Sequence, residues 1–158
     1  MDEITKIEMK ELNMLSNQVV GACIEVHRIL GPGLLEAAYE ECVCHELRLR
    51  NIVFDRQVQV PIAFKGVQLT NAFRLDILVE KRLIVELKAV DELEPIHIAQ
   101  LSTYLKLTGL HLGLLMNFNV KLMKHGIRRL INGQIPIDPV EAMLAEELRQ
   151  RWEARDDK

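Results

Sequence analysis

The chain has 158 residues, 49% of them hydrophobic and 27% charged, which suits one domain around a single core and argues against disorder. A net charge of −3 argues against a broad basic surface for tight, sequence-blind nucleic-acid binding, while leaving room for a small basic site. No apolar run approaches the roughly 18 residues that span a membrane. The mixed-charge start MDEITKIEMKEL does not read as an export signal, so the expected location is the cytoplasm.

Apolar residues at Leu15, Val19, Cys23, Val26 and Leu30 have helical spacing and predict a helix over 15–30. Gly31-Pro32-Gly33 ends it. A second helix is expected from about Leu34 to Arg50, with Leu34, Ala38, Val43 and Leu47 as its inner stripe. Three cysteines, Cys23, Cys42 and Cys44, fall on these helices without CxxC or zinc-ribbon spacing. They are expected as buried, reduced thiols behaving as small hydrophobes. His27 and His45 lie on the same helices.

The period then changes. Val58, Val60, Ile62 and Phe64 alternate with polar residues and Pro61, which predicts a strand, and Lys65-Gly66 a turn. Phe73 to Val79 and Leu83 to Ala89 read as two more strands joined by Glu80-Lys81-Arg82. Pro95 opens a helix over about 96–108, stopped by Gly109. Leu112 to Val120 reads as a buried strand and Gly126 to Ile131 as a short further one. Asp138-Pro139 is an N-cap followed by proline at the first helical position, so a last helix is expected over 139–155. Val140, Met143, Leu144 and Leu148 would form its apolar side. This order predicts a mixed α/β fold in one domain.

The second and third strands carry the chemistry. Placing Val79 opposite Leu83, Ile77 opposite Val85 and Leu75 opposite Leu87 buries six apolar residues together. A slip by one residue would misplace three of them, so the pattern selects this register. Asp76 then falls opposite Glu86, and Arg74 opposite Lys88. Like charges directly opposed are destabilising, and two facing carboxylates are tolerable with a divalent cation between them. Mg2+ favours carboxylate oxygens and retains several waters, which suits phosphate chemistry. Lys88, beside Glu86, could hold a water or neutralise charge on a phosphate. The plainer reading is a solvated outer face in which the D…ExK pattern arises by chance.

Asp76 followed by Glu86-Leu87-Lys88 resembles the PD-(D/E)XK nuclease signature, with Leu75 where that signature often has proline. Gly33-Leu34-Leu35-Glu36-Ala37-Ala38-Tyr39 is similar to the motif naming the GxxExxY protein family, a bacterial and archaeal branch of that superfamily. Gln100-Leu101-Ser102-Thr103-Tyr104 resembles the QxxxY motif of exonuclease-like members. Leu114 to Val120 and Gly126-Ile127-Arg128-Arg129 are also similar to that family, so the resemblance covers about 14–133.

The resemblance implies a restriction-endonuclease-like core: a mixed four-stranded sheet flanked by helices, in the order α-β-β-β-α-β. It implies that Asp76, Glu86 and the Leu87 backbone carbonyl bind Mg2+ or Mn2+, with Glu36 as an auxiliary ligand or base. Lys88 would serve the nucleophilic water. Gln100, Tyr104, Tyr39 and Arg74 would support the site or touch nucleic acid. Plain packing is the alternative for Tyr39 and Tyr104, simple solvation for Glu40, and a surface or supporting role for His97.

Lys121, Lys124, His125, Arg128 and Arg129 form a basic cluster that could track a phosphate backbone or discourage sheet-to-sheet pairing. With 4% aromatic residues, platforms for base stacking are few. The expected function is metal-dependent hydrolysis of nucleic acid, DNA before RNA. The competing reading is a non-catalytic module binding nucleic acid or a partner protein on the same fold; a third is an oligomer whose second copy completes the groove, with Trp152 at the contact.

Overall fold

The computed structural model of the protein describes residues 3–132. The expected last helix over 139–155 and Trp152 lie outside the described residues. The elements in chain order are α1 (Glu3–Leu30), α2 (Glu36–Leu49), β1 (Phe54–Phe64), β2 (Val67–Val79), β3 (Leu83–Lys88), α3 (Pro95–Thr108), β4 (Leu112–Asn117), a 3-10 turn (Met123–Gly126) and β5 (Ile127–Ile131).

α1 starts twelve residues earlier than its strongest periodicity, and buries Leu12, Leu15, Val19, Ala22, Cys23 and Val26. It stops where Gly31 turns to φ +66 and its N–H donates to the His27 carbonyl at 2.7 Å, a left-handed ending that glycine adopts without penalty. Leu35 is extended, so α2 begins at Glu36 and its buried stripe is Tyr39, Glu40, Val43, Cys44 and Leu47. Of the stripe expected from sequence, Val43 and Leu47 hold. Leu34 is 41% exposed because it lies before the helix, and Ala38 is half-buried because it sits one position off the stripe of Tyr39, Val43 and Leu47. α3 has Pro95 in its first turn, a reciprocal cap between Glu94 and His97, and Gly109 at φ +70 behind it, matching the expected bounds.

The sheet runs β1-β2-β3-β4-β5 in spatial order. β1, β2 and β3 form an antiparallel meander, β3 and β4 are parallel, and β5 returns antiparallel to β4. A parallel pair needs a crossover, and α3 is that crossover. α1 and α2 cover one face with Val79, Leu83, Val85, Leu87, Leu112, Leu114 and Met116. α3 covers the other with Ile84, Leu115, Ile98, Leu101 and Leu105. The fold is therefore the mixed sheet flanked by helices that the sequence suggested, with β5 added beside the four core strands. β4 ends at Asn117, three residues before the expected limit, and no helix among the described residues is long and apolar enough to cross a membrane.

β1 and β2 change sides partway along. Phe54, Ile77 and Val79 pack in the α1/α2 layer, whereas Val58, Val60, Phe73 and Leu75 pack in the α3 layer. The change falls at Gln57, whose φ is +50, and the β1–β2 register omits the pair Gln57 and Asp76. A second irregularity lies at Pro61, which has no N–H to give the ladder and is tolerated on this edge strand.

Candidate active site

The site forms where the sheet opens. β2 pairs with β3 only from Ile77/Val85 to Val79/Leu83. This confirms two of the three expected apolar pairs. Leu75 does not join Leu87; it lies in the α3 layer, because the strand changes sides at Asp76. Arg74 likewise does not face Lys88 but pairs with Gln59 of β1, and it is exposed.

Beyond Val85 the ladder is replaced by two side-chain bonds. The Asp76 N–H donates to Glu86 Oε1 at 3.0 Å, and the Leu87 N–H donates to Asp76 Oδ2 at 2.9 Å. Each carboxylate thus gives one oxygen to the partner strand's backbone. Asp76 Oδ1 and Glu86 Oε2 have no such backbone bond. A strand residue turns its N–H and C=O to the same side, so the Leu87 carbonyl also faces the opening toward β2.

The electrostatics bind the group together. Glu86 is buried, 7% exposed, and burial with the neighbouring Asp76 charge pushes its carboxyl up to about 8. Burial also raises Asp76, with Glu40 adding to the rise; the Leu87 N–H and Lys88 oppose it. Burial raises Glu36, against the pull of Lys88. Two carboxyls held above their ordinary range by burial in a partly enclosed notch, their charge only partly offset by Lys88, meet the condition that a cation relieves.

α3 closes one side. Tyr104 stacks on Phe73 with ring centroids 4.4 Å apart and planes 2° apart. Its phenol is raised by burial and then by Glu86 and Asp76, which sets it within their field. His97 is lowered by burial and by Lys88, while its Nδ1 accepts the Glu94 N–H; its visible work is capping α3. Gln100 is exposed on the same helix.

α2 supplies two more acids. Glu36 is exposed in its first turn. Glu40, expected to be solvated, is instead 8% exposed and held by Arg56 Nη2 at 2.6 Å and Gln57 Nε2 at 2.7 Å. Arg56 also bonds Glu41 at 3.0 Å. The signal for Glu40 was its place one turn after Glu36; its partners lie 16 and 17 residues on, beyond any local pattern. Tyr39 is fully buried, stacks on Phe118 at 4.5 Å, donates its hydroxyl to the Gly31 carbonyl and accepts the Leu34 N–H. It fastens the turn that leads into Glu36.

Asn117 is a further residue that sequence reading passed over. It is buried at the end of β4, accepts the Val90 N–H at 3.1 Å and donates to the Val90 carbonyl at 2.9 Å. The amide thereby acts as a strand partner for the chain just after Lys88. An amide, Asn117, directly after the apolar stretch Leu112 to Met116 is the sign that marked it.

The basic cluster is only partly available. Arg129 bonds Asn13, and Arg128 donates to the His125 and Ile127 carbonyls. Both arginines sit on β5, which has no strand beyond it among the described residues. Cys23 and Cys44 are buried and Cys42 half-buried, all three free.

Among the described residues no group of three or more His, Cys, Asp or Glu side chains is arranged to hold a metal. Asp76 and Glu86 make a two-carboxylate site, and one or two carboxylates completed by water are what Mg2+ commonly takes from a protein. The donor chemistry and the only partly compensated acidity fit such an ion.

A solved structure, the crystal structure of SSO0001, is similar to this chain with a TM-score of 0.43 and 23% identity, over 73% of this chain and 57% of that one. The chain spans somewhat over half the length of that protein. No curated protein matches the sequence. The family model of the PD-(D/E)XK nuclease superfamily matches residues 13–130, a span that includes Glu36, Asp76, Glu86, Lys88 and Tyr104. The chain belongs to the PD-(D/E)XK nuclease superfamily.

Proposed function

We propose that the protein is a metal-dependent nuclease that hydrolyses phosphodiester bonds in DNA, with RNA as the lesser alternative. Within the superfamily it falls in the prokaryotic GxxExxY branch, on Gly33, Glu36 and Tyr39. The observation that carries the reading is the exchange of backbone bonds between Asp76 and Glu86. It holds two raised carboxylates side by side and aims the Leu87 carbonyl at the same opening.

Asp76, Glu86 and the Leu87 carbonyl would hold Mg2+ or Mn2+, with Glu36 as an auxiliary ligand or base. The ion would supply charge stabilisation at the phosphate and help to activate water. Lys88 orients the attacking water and offsets charge on the phosphate. Tyr104 shields the pair on the α3 side, and Gln100 and Arg74 are exposed to meet nucleic acid. Tyr39 supports the site by fixing the turn before Glu36.

Mg2+ titration by calorimetry and cleavage of duplex DNA, on the parent and on Asp76→Ala, test this. The variant should keep its circular dichroism spectrum and lose metal binding and cleavage, by a factor of at least 100. Cleavage at the parental rate would remove Asp76 from the mechanism. The second reading, a non-catalytic binding module, is favoured by the net charge of −3. It predicts nucleic-acid binding without turnover in Mg2+ or Mn2+.

A further inference from the structure

β1 and β2 are longer than the sheet that they join. Their mutual pairing continues out to Phe64/Val67, while pairing of β2 with β3 stops at Ile77. From Asp76 outward the two strands therefore form a ribbon with no third strand on the β2 flank among the described residues. Along β1, from Val58 to Phe64, it extends roughly 20 Å at about 3.3 Å per residue, a little over half a turn of duplex DNA.

The ribbon has two unlike faces. Opposed residues share a face, so Val58/Leu75 and Val60/Phe73 line the side packed on α3. Beyond the irregularity at Pro61, Ile62/Leu69 and Phe64/Val67 share one face, on which Phe64, Val67 and Leu69 are exposed. Gln59/Arg74 before Pro61 and Ala63/Gln68 after it face away from their neighbouring apolar pairs, with Lys65 at the turn, all exposed. Residues 57–75 include Lys65 and Arg74 and no acid, in a chain of net charge −3.

We infer that this ribbon is an arm that enters the major groove of double-stranded DNA and leads the duplex to the carboxylates at its root. The inference rests on the nuclease reading and adds the form of the substrate. The B-form major groove, about 12 Å wide, admits a two-stranded ribbon, and Arg and Gln are the side chains that pair with purine edges there. Ala63 keeps the face low enough for close approach, and the bare flank of β2 offers backbone N–H groups to phosphates. The major groove of duplex RNA is too deep and narrow for side chains to read, and an arm without stacking aromatics on its polar face gives single strands little to hold. Cation content without acid supplies the complementarity to a polyanion that the molecule as a whole lacks.

The test is fluorescence anisotropy with a labelled duplex of about 30 base pairs, Ca2+ replacing Mg2+, on the full chain and on Lys65→Glu with Gln68→Glu. The exposed positions make misfolding easy to exclude by circular dichroism. The variant should bind at least tenfold more weakly, with a salt dependence shallower by about one phosphate contact. Duplex RNA and single-stranded DNA should compete at least tenfold less well than duplex DNA. Equal affinity of variant and parent overturns the arm, as does equal competition by duplex RNA. So does a dimer in sedimentation that Phe64→Ser abolishes while the charge variant still binds DNA normally, since the ribbon would then be a contact between copies. Mg2+ calorimetry separates the two readings: the charge variant should bind Mg2+ as the parent does. Loss of Mg2+ binding in the parent would sink the nuclease reading and leave arm-dependent duplex affinity as a separate result.

Discussion

Glu86 shows how one side chain can make the fold oppose itself. Its folded carboxyl is raised to about 8 from an ordinary 4.5 by burial and by Asp76. The folded state therefore keeps a proton that the unfolded chain releases. The stability tied to that proton is fully present below about 4.5 and is lost as pH rises through about 8. With a chelator present, urea midpoints should fall between pH 5 and pH 8, by on the order of a few kcal/mol in stability. Glu86→Gln should flatten that slope, and an unchanged slope would put its origin elsewhere. The thiols carry a second expectation. Burial pushes Cys23 up to about 12 and Cys44 to about 11, so neither forms thiolate at pH 8. Iodoacetamide should label Cys42 alone in the native protein and all three cysteines after unfolding; fast labelling at Cys23 or Cys44 would contradict the packing. At this scale the nearness of Asp76 and Glu86 was legible from the alternation of the two strands, although their carboxylates meet through backbone bonds and not as a ladder pair. Glu40 was not, since its burial depends on Arg56 and Gln57 arriving from another strand.

The helices and strands were largely legible where residue types enforce them. Pro95 and Gly109 bound α3 by covalent geometry, and Lys65-Gly66 turns β1 into β2 with both residues at positive φ. The side change at Gln57 and Asp76 was hidden, because alternation assumes an unbroken pleat and a glutamine does not announce a φ of +50. The misplaced partners of Leu75 and Arg74 both follow from it. Spacing between α3 and β4 depends on one small residue. A Cβ on Gly113 would come 2.7 Å from Leu101 Cδ1. Gly113→Ala should cost about 1–3 kcal/mol and Leu101→Ala about 2–5 kcal/mol. Because the second change clears space for the first, denaturant melts of the double variant should show a cost below the sum by more than about 0.5 kcal/mol. Strict additivity would mean that α3 does not press on β4 there.

For the whole molecule, two helical layers enclose one sheet, and the acidic pair sits where the sheet opens between them. A divalent ion that binds only the folded state stabilises it by about 2.7 kcal/mol at a hundredfold excess over Kd. Saturating Mg2+ or Mn2+ should therefore raise Tm by several degrees, and Asp76→Ala with Glu86→Ala should abolish the rise. An equal rise in the double variant would place the ion outside the opening. The layered α/β class was readable from the change of hydrophobic period along the chain, whereas the reach of β1 and β2 beyond the sheet was not, since a strand's sequence carries no mark of where its neighbour ends. The strands lie side by side in the order in which they occur in the chain, and this has a consequence for synthesis. Each new strand can dock on the one made just before it, and none must later be forced between two that are already joined, which suits growth from a ribosome. Asp76 and Glu86 both belong to the first three strands, so their pairing can form before Tyr104 and α3 have been made.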